Sequence, residues 1–237
     1  MRLVSVIVPT YNPQEHLLAC LASVFSQTYT SYEVIVVDDG SEAEYAPLLA
    51  GLKNRYPCLR LLTVSPNRGV AHARNLGAAA ARGEYLAFLD HDDLWDSRKL
   101  ELQARFLDSA PDCGYVTSRQ RYFLEDGVES TPSWVRDCHI GIALPGFLPG
   151  TLLVRKTVFL QLQGFDETLK AGTDDVDWFF RANTAAIRTH ELPEELLLRR
   201  IHGKNLSAQA QAHNKELLSV VRMNMARRNA AKSTTTE

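Results

Sequence analysis

Three short acidic runs hold the residue types with which this 237-residue chain could do chemistry. The first is "DHDD", residues 90–93, straight after the apolar run "YLAFL". Carboxylates packed that closely repel and raise one another's pKa, so a positive group is expected among them. Asp90 and Asp92 flank His91, and alternate positions of an extended segment lie on one side. A hard divalent cation, Mn2+ or Mg2+, takes oxygen ligands there and leaves its remaining positions to water and phosphate oxygens. Capping of the next helix accounts for Asp93 or Asp96 but not for the Asp90–Asp92 pair. The second run is "VVDDGS", residues 36–41. A single carboxylate there can accept N–H or O–H bonds from a nucleobase or ribose. Standing alone, it reads better as an Asx-turn in which Asp39 bonds its own backbone beside Gly40. In the third run, "GTDDVDWFFR", Asp174, Asp175 and Asp177 fall in the first turn of a helix, beside the positive end of its dipole.

The elements that must position these runs follow from hydrophobic patterning. "VSVIVPT", "YEVIVVD", "LRLLTVS" and "YLAFLD" are short and apolar with turn residues after them, the mark of buried strands. Between them, Leu17, Leu18, Leu21, Val24 and Phe25 stand at helical spacing. "EYAPLLAGLKNRYP" suits a helix stopped by Pro57, and "GVAHARNLGAAAARG" an Ala-rich helix closed by Gly83. "DSRKLELQARFLDSAP" predicts a fourth helix with Asp96 or Ser97 as N-cap. Strands alternating with helices imply a parallel sheet covered on both faces, with ligands bound at the carboxyl ends of the strands. "PTYN", "DDGS" and "DHDD" all stand at such ends. After residue 110 the pattern loosens into a strand and hairpin, a loop-rich stretch over 134–150, a strand and helix, and "ELLLRRIHGKNLS" as a strand entering a loop. A last helix, basic toward its end, runs into a frayed tail.

Bulk properties remove several classes. Hydrophobic residues make up 45% of the chain, charged residues 23%, and the net charge is −2. That describes an ordinary core with no broad basic surface, so no nucleic-acid partner is expected. No apolar run reaches the ~18 residues of a membrane span. The N-terminus reads as a strand rather than a signal peptide, so a cytoplasmic location is expected. Cys20, Cys58, Cys113 and Cys138 fit no zinc spacing and are expected to be reduced.

"VSVIVPTYN", "VVDDGS", "NRGVAHARNLG" and "YLAFLDHDD", in this order and at these separations, resemble the family-2 glycosyltransferases of the inverting GT-A type. The resemblance resumes at "GFDETLKAGTDDVDWFFR" and "RRIHGKNLS" and so reaches about residue 207. It implies an α/β GT-A nucleotide-sugar-binding fold: a Rossmann-like, mainly parallel central sheet flanked by helices. Residues 1–110 would form the donor-binding half and 111–210 the acceptor-binding and catalytic half, with 211–237 a C-terminal helix and tail. The implied activity moves a sugar from a nucleotide-diphospho-sugar to an acceptor hydroxyl with Mn2+ or Mg2+ as cofactor. The expected setting is cell-surface polysaccharide or glycan biosynthesis. Glycan, lipid-linked and protein acceptors all remain open, as does peripheral contact with the inner membrane face.

The family motifs carry over residue by residue. Thr10 and Tyr11 match the base pocket, Asp39 the acid that bonds the base, and Arg74 a basic position on the nucleotide side. Asp90 matches the acid that faces the ribose and Asp92 the metal ligand. Inverting transfer needs a base to take the acceptor proton, and Asp175 matches it, with Asp174 as the fallback. The family usually has Glu-Asp followed by an aromatic residue, where this chain has Asp174, Asp175 and Val176. In "RIH", His202 is expected at the metal or phosphate and Arg200 at the diphosphate. Asn205 and Ser207 complete that motif and shape the loop, and Lys204 could add a charge. Trp134, Phe147 and Trp178 are candidates for stacking on an acceptor sugar, with core packing the plainer reading of Trp178. Met223, Met225 and the arginines at 222, 227 and 228 form an amphipathic patch, read as a solvated face or a docking face for membrane or partner. Two rivals share the pattern: a non-catalytic protein that keeps the fold, and a sugar-1-phosphate nucleotidyltransferase, whose glycine-rich phosphate loop "PTYNPQEH" lacks.

Overall fold

The structure, a computed structural model, describes residues 1–128, 131, 132, 135, 137–169, 173–202, 205, 220 and 222–224. Four βα units lead the chain: β1 (Val4–Thr10), α1 (His16–Phe25), β2 (Tyr32–Asp38), α2 (Ala46–Arg55), β3 (Leu59–Thr63), α3 (Val70–Ala80), β4 (Tyr85–Phe88), the short β5 (Leu94–Trp95) and α4 (Lys99–Ser109). Then follow β6 (Tyr115–Leu124), β7 (Ala143–Leu144), β8 (Leu153–Arg155), α5 (Lys156–Gln161), α6 (Asp174–Thr184) and β9 (Thr189–Ile201).

One sheet holds all nine described strands, in the order β3-β2-β1-β4-β8-β6-β9-β5, with β7 beside β6. From β3 to β4 the pairing is parallel, as the βα alternation predicts. Beyond β4 the sheet is mixed: β8 runs antiparallel to both β4 and β6, β9 lies parallel to β6, and β5 antiparallel to β9. The sheet is therefore wholly parallel from β3 to β4 and mixed beyond, where the β6–β9 pair is again parallel. The central strands are buried on both faces. Val4, Val6, Val8, Val34 and Val36 pack with Leu17, Leu21, Leu100 and Leu107 on one side. Ile7, Ile35, Val37 and Phe88 pack with Ala71, Phe159, Phe165 and Trp178 on the other.

Three local expectations are corrected. α4 begins at Lys99 with Arg98 at the cap position and no side-chain cap; Asp96 instead accepts the Arg98 backbone N–H at 2.9 Å. Gly83 does not end α3 with a left-handed residue. A Cβ there would lie 2.7 Å from the Leu3 carbonyl oxygen, so glycine lets the chain press against β1. β9 is longer than expected, starting at Thr189, because a register shift opposite Arg119 steps over Pro193 and Glu194.

α3 lies close against β1 for a specific reason. A Cβ on Gly77 would meet the Ile7 Cγ2 at 2.5 Å, and Ile7 is fully buried with no room to yield. Gly77→Ala gains about 1 kcal/mol of helix propensity against an overpacking cost of about 1–3 kcal/mol. The net cost of up to about 2 kcal/mol predicts a Tm lowered by up to roughly 8 °C for a chain of this size, read by thermal denaturation; a raised Tm would contradict this packing. Among the described residues no helix is long and apolar enough to cross a membrane. The four cysteines are free, Cys20 and Cys113 buried and Cys58 and Cys138 exposed.

Candidate active site

The carboxyl ends of β1, β2 and β4 open onto a cavity of about 550 Å³, within the range of ligand pockets. Its wall includes Thr10, Tyr11, Asp39, Arg74 and residues 90–93, closed from the other half by Arg199, His202 and Asn205. Seven expected site residues thus meet at one place: Thr10, Tyr11, Asp39, Arg74, Asp90, Asp92 and His202. Tyr11 is 44% exposed, whereas Thr10 is buried and its Oγ1 has no partner among the described residues.

The two acids after β2 have separate duties. Asp38 makes the turn, accepting the Ser41 N–H at 3.0 Å. Asp39 reaches across to the loop before α3 and accepts the N–H of Arg68 at 2.9 Å and of Gly69 at 2.7 Å. The Asx-turn expected for Asp39 thus belongs to Asp38. Gly40, at φ +78, allows the approach: a Cβ there would sit 2.8 Å from the Asn67 nitrogen. An ionised carboxylate has about four acceptor positions, so Asp39 keeps capacity toward the cavity it lines.

Arg74 projects from α3 and is buried between two carboxylates. Its Nη2 donates to Asp90 at 2.7 Å and its Nη1 to Asp174 at 2.9 Å. Burial alone would lower the guanidinium's pKa; Asp90 and Asp174 more than reverse that and raise it. One side chain therefore ties the end of β4 to the start of α6. Burial raises the pKa of Asp174, against the pull of Arg74. Asp175 is pushed up to about 7, first by burial and then by the charge of Asp174, with Arg74 opposing. A carboxyl poised there is matched to general-base work near neutrality. Neither Asp174 nor Asp175 lies on the cavity wall among the described residues; Arg74, which does, is bonded to Asp174.

Asp92 faces the end of β9. His202 Nε2 lies 3.0 Å from its Oδ2, and Asn205 Nδ2 donates to the same oxygen at 3.4 Å. Burial would raise Asp92; the His202 hydrogen bond and the charges of His91 and His202 outweigh it and lower the pKa to about 2. The buried Asp93 is held well above the usual carboxylate range by burial and by Asp92's charge. Asp93 does not cap the next helix, as its place in the sequence allowed; it accepts the Arg200 backbone N–H at 2.9 Å and so ties β9 to this corner.

Among the described residues no three His, Cys, Asp or Glu side chains gather to cage an ion by themselves. The Asp92–His202 pair nonetheless fits Mn2+ or Mg2+ in the manner of ions that keep one or two protein ligands and take the rest from waters and substrate phosphates.

Sequence reasoning missed several residues here. Arg200, expected at the diphosphate, donates from Nε to the Asp92 carbonyl at 3.0 Å and lies over the Phe123 ring; its neighbour Arg199 reaches the cavity wall. His16, also on the wall, packs against His202 in a tilted arrangement with ring centroids 5.1 Å apart and pairs with Glu125. Its place before the apolar face of α1 was the only signal it offered, and Glu125, 109 residues away, offered none. Trp178 is fully buried among Tyr115, Phe159 and Phe165, so it is a core residue and not an acceptor contact. Trp134, Lys204, Ser207, Met225, Arg227 and Arg228 lie outside the described residues. Of the C-terminal segment, Val220 and Asn224 are buried, and Asn224 donates to Asp177 on α6 at 3.0 Å, so the helix packs on its own domain through these residues while Arg222 of the patch stays exposed.

The sequence profile of glycosyl transferase family 2 matches residues 5–173. The chain belongs to that family. An uncharacterized glycosyltransferase of Rickettsia bellii is 34% identical over 186 residues, covering 74% of this chain but 26% of that protein. One from Rickettsia typhi is 31% identical over 214 residues, covering 84% of this chain and 64% of its own length. The chain thus spans well under two thirds of several such relatives. The Escherichia coli UDP-Glc:alpha-D-GlcNAc-diphosphoundecaprenol beta-1,3-glucosyltransferase WfaP is 33% identical over 139 residues, 56% of this chain and 53% of WfaP. In fold, the family member superposes on S. aureus TarS 1–349 in complex with UDP-GlcNAc with a TM-score of 0.74 at 23% identity, covering 94% of this chain and 65% of TarS 1–349. The Pyrobaculum calidifontis mannosyltransferase PcManGT, in complex with GDP-Man and Mn2+, gives 0.72 at 21%, over 92% and 64% of the two chains. These likenesses establish the GT-A fold.

Proposed function

We propose that this chain is the donor-binding and catalytic domain of a metal-dependent, inverting glycosyltransferase that takes a nucleotide-diphospho-sugar. The observation that carries this reading is the Arg74 bridge, which holds the donor-side Asp90 and the α6 carboxylate Asp174, the neighbour of Asp175, within the span of one guanidinium. In this reading Thr10, Tyr11 and Asp39 receive the base and Asp90 the ribose. Asp92 and His202 would hold Mn2+ or Mg2+, which neutralises the departing diphosphate when bound. Arg199 and Arg200 add positive charge on the same side. Asp175 accepts the acceptor hydroxyl's proton as that oxygen attacks the anomeric carbon in line with the leaving group. A lipid-linked glycan acceptor, in cell-surface polysaccharide assembly at the cytoplasmic face of a membrane, is the class favoured by the names of two relatives, WfaP and WfgD.

Calorimetric titration of UDP, GDP, dTDP and CMP with and without Mn2+ tests the donor site. One diphosphate is expected to bind with metal, and Asp92→Ala to weaken it by at least about tenfold. Failure of all four to bind the folded protein under either condition would sink the donor-site reading.

A further inference from the structure

The backbone carbonyls of the loop over residues 145–152 are held by five buried side chains, Gln120, Thr151, Trp95, Gln103 and Lys99. Gln120 Nε2 donates to the Pro145 carbonyl at 2.9 Å, and Thr151 Oγ1 lies 2.8 Å from the Gly146 carbonyl oxygen. Trp95 Nε1 donates to Gly150 at 2.8 Å and Gln103 Nε2 to Thr151 at 2.7 Å. Lys99 is fully buried, its Nζ bonded to Gln103 and directed at the Leu152 carbonyl. A Cβ on Gly146 would lie 2.1 Å from the Ser118 carbonyl oxygen, so this stretch of backbone presses directly on β6.

What this scaffold presents to solvent is one aromatic ring. Phe147 is 55% exposed and stands perpendicular to Phe179 with centroids 5.7 Å apart. Phe179 is on α6, four residues after Asp175, on the same side of the helix. Helical side chains lean toward the N-terminus, so a ring at 179 is directed toward the turn that carries Asp175. Neither ring lines the donor cavity. Whatever is attached to a hydroxyl deprotonated by Asp175 must cover the surface beside it, and that surface is aromatic. Sugar rings present apolar C–H faces that suit such a wall, and a platform held rigid in advance loses little freedom on binding.

We infer that Phe147 and Phe179 form an acceptor subsite that stacks on the pyranose ring bearing the attacked hydroxyl; this rests on the proposed role of Asp175. The test is saturation-transfer NMR on the full chain with UDP and Mg2+, using methyl pyranosides of glucose, galactose, mannose and N-acetylglucosamine, and undecyl phosphate as a lipid arm. At least one pyranoside is expected to receive saturation at its C–H protons. Phe147→Ala should remove that signal and weaken binding by roughly tenfold, the upper range of an aromatic contact, while Phe147→Tyr retains it. Because Phe147 is exposed, the variants are expected to fold, and UDP titration of each checks the donor half separately. A wild type that binds none of UDP, GDP, dTDP and CMP would strike the proposed function itself; one that binds another of these is tested with that nucleotide in place of UDP. With UDP binding intact, no pyranoside signal, a signal unchanged in Phe147→Ala, or an effect confined to undecyl phosphate would each overturn the subsite.

Discussion

Asp175→Asn is expected to lower kcat by about 10²–10⁴-fold, the usual worth of general acid–base catalysis, while leaving nucleotide affinity nearly unchanged. The reason is local. Asp175 sits at the start of α6 with its carboxyl raised to about 7 by burial and by Asp174. Only the ionised form accepts a proton, so activity should fall on acidification below about pH 7, with Asp175 as the titrating group. The same shift has a stability consequence of opposite sense. A carboxyl whose folded pKa lies above its unfolded value of about 4 binds protons more tightly when folded. Its ionisation therefore costs stability, and the cost grows as pH rises from about 4 to 7. Removing it with Asp175→Asn should raise stability at pH 8, by about 1–2 kcal/mol after allowing for solvent near this partly exposed group, and change little at pH 4. Single-turnover assays and denaturation at both pH values check the two halves. A variant that keeps wild-type kcat would move the base assignment to Asp174.

Arg74→Met should lower stability by about 3–5 kcal/mol, because it leaves the buried Asp174 without its counter-charge. For a chain of this size that is a Tm fall of roughly 6–20 °C. Arg74→Lys should recover only part, since a point charge cannot reach Asp90 and Asp174 with two directed donors. The informative variant is Arg74→Met combined with Asp174→Leu. Removing both partners of a buried pair is far milder than removing one, so the double variant should be more stable than Arg74→Met alone. Thermal denaturation of the three variants and wild type completes the cycle. A single Arg74→Met variant as stable as wild type would show that the bridge is not held in solution. Activity separates roles further: loss of the strut should depress kcat for bound donor, beyond any change in nucleotide affinity.

How much of this was readable in advance depended on distance along the chain. The apolar runs of β1, β2 and β4 alternate with helical spacing, and that periodicity records burial on both faces of a sheet. It placed residues 10, 11, 39, 90 and 92 at one edge without any structure, because parallel strands joined by helices present all their carboxyl ends on one side. Asp174 and Asp175 were legible as a helix start for the same local reason. The second half was harder. β5 has two residues and no period of its own, and β9 crosses Pro193 through a register shift opposite Arg119.

The sequence by itself determined the βα order of the first half, the gathering of acids at one edge, and the family, because each depends on neighbours in the chain. Only the tertiary structure decided that Arg74 spans Asp90 and Asp174, partners 16 and 100 residues away. It decided as well that Asp38 and not Asp39 makes the turn, that Arg199 and not Arg200 reaches the cavity, and that Trp178 is core while Phe147 is surface. Those outcomes turn on which strand lies beside which and on the direction a side chain takes in packing. Contacts closed across a hundred residues leave no period in the sequence from which they can be read.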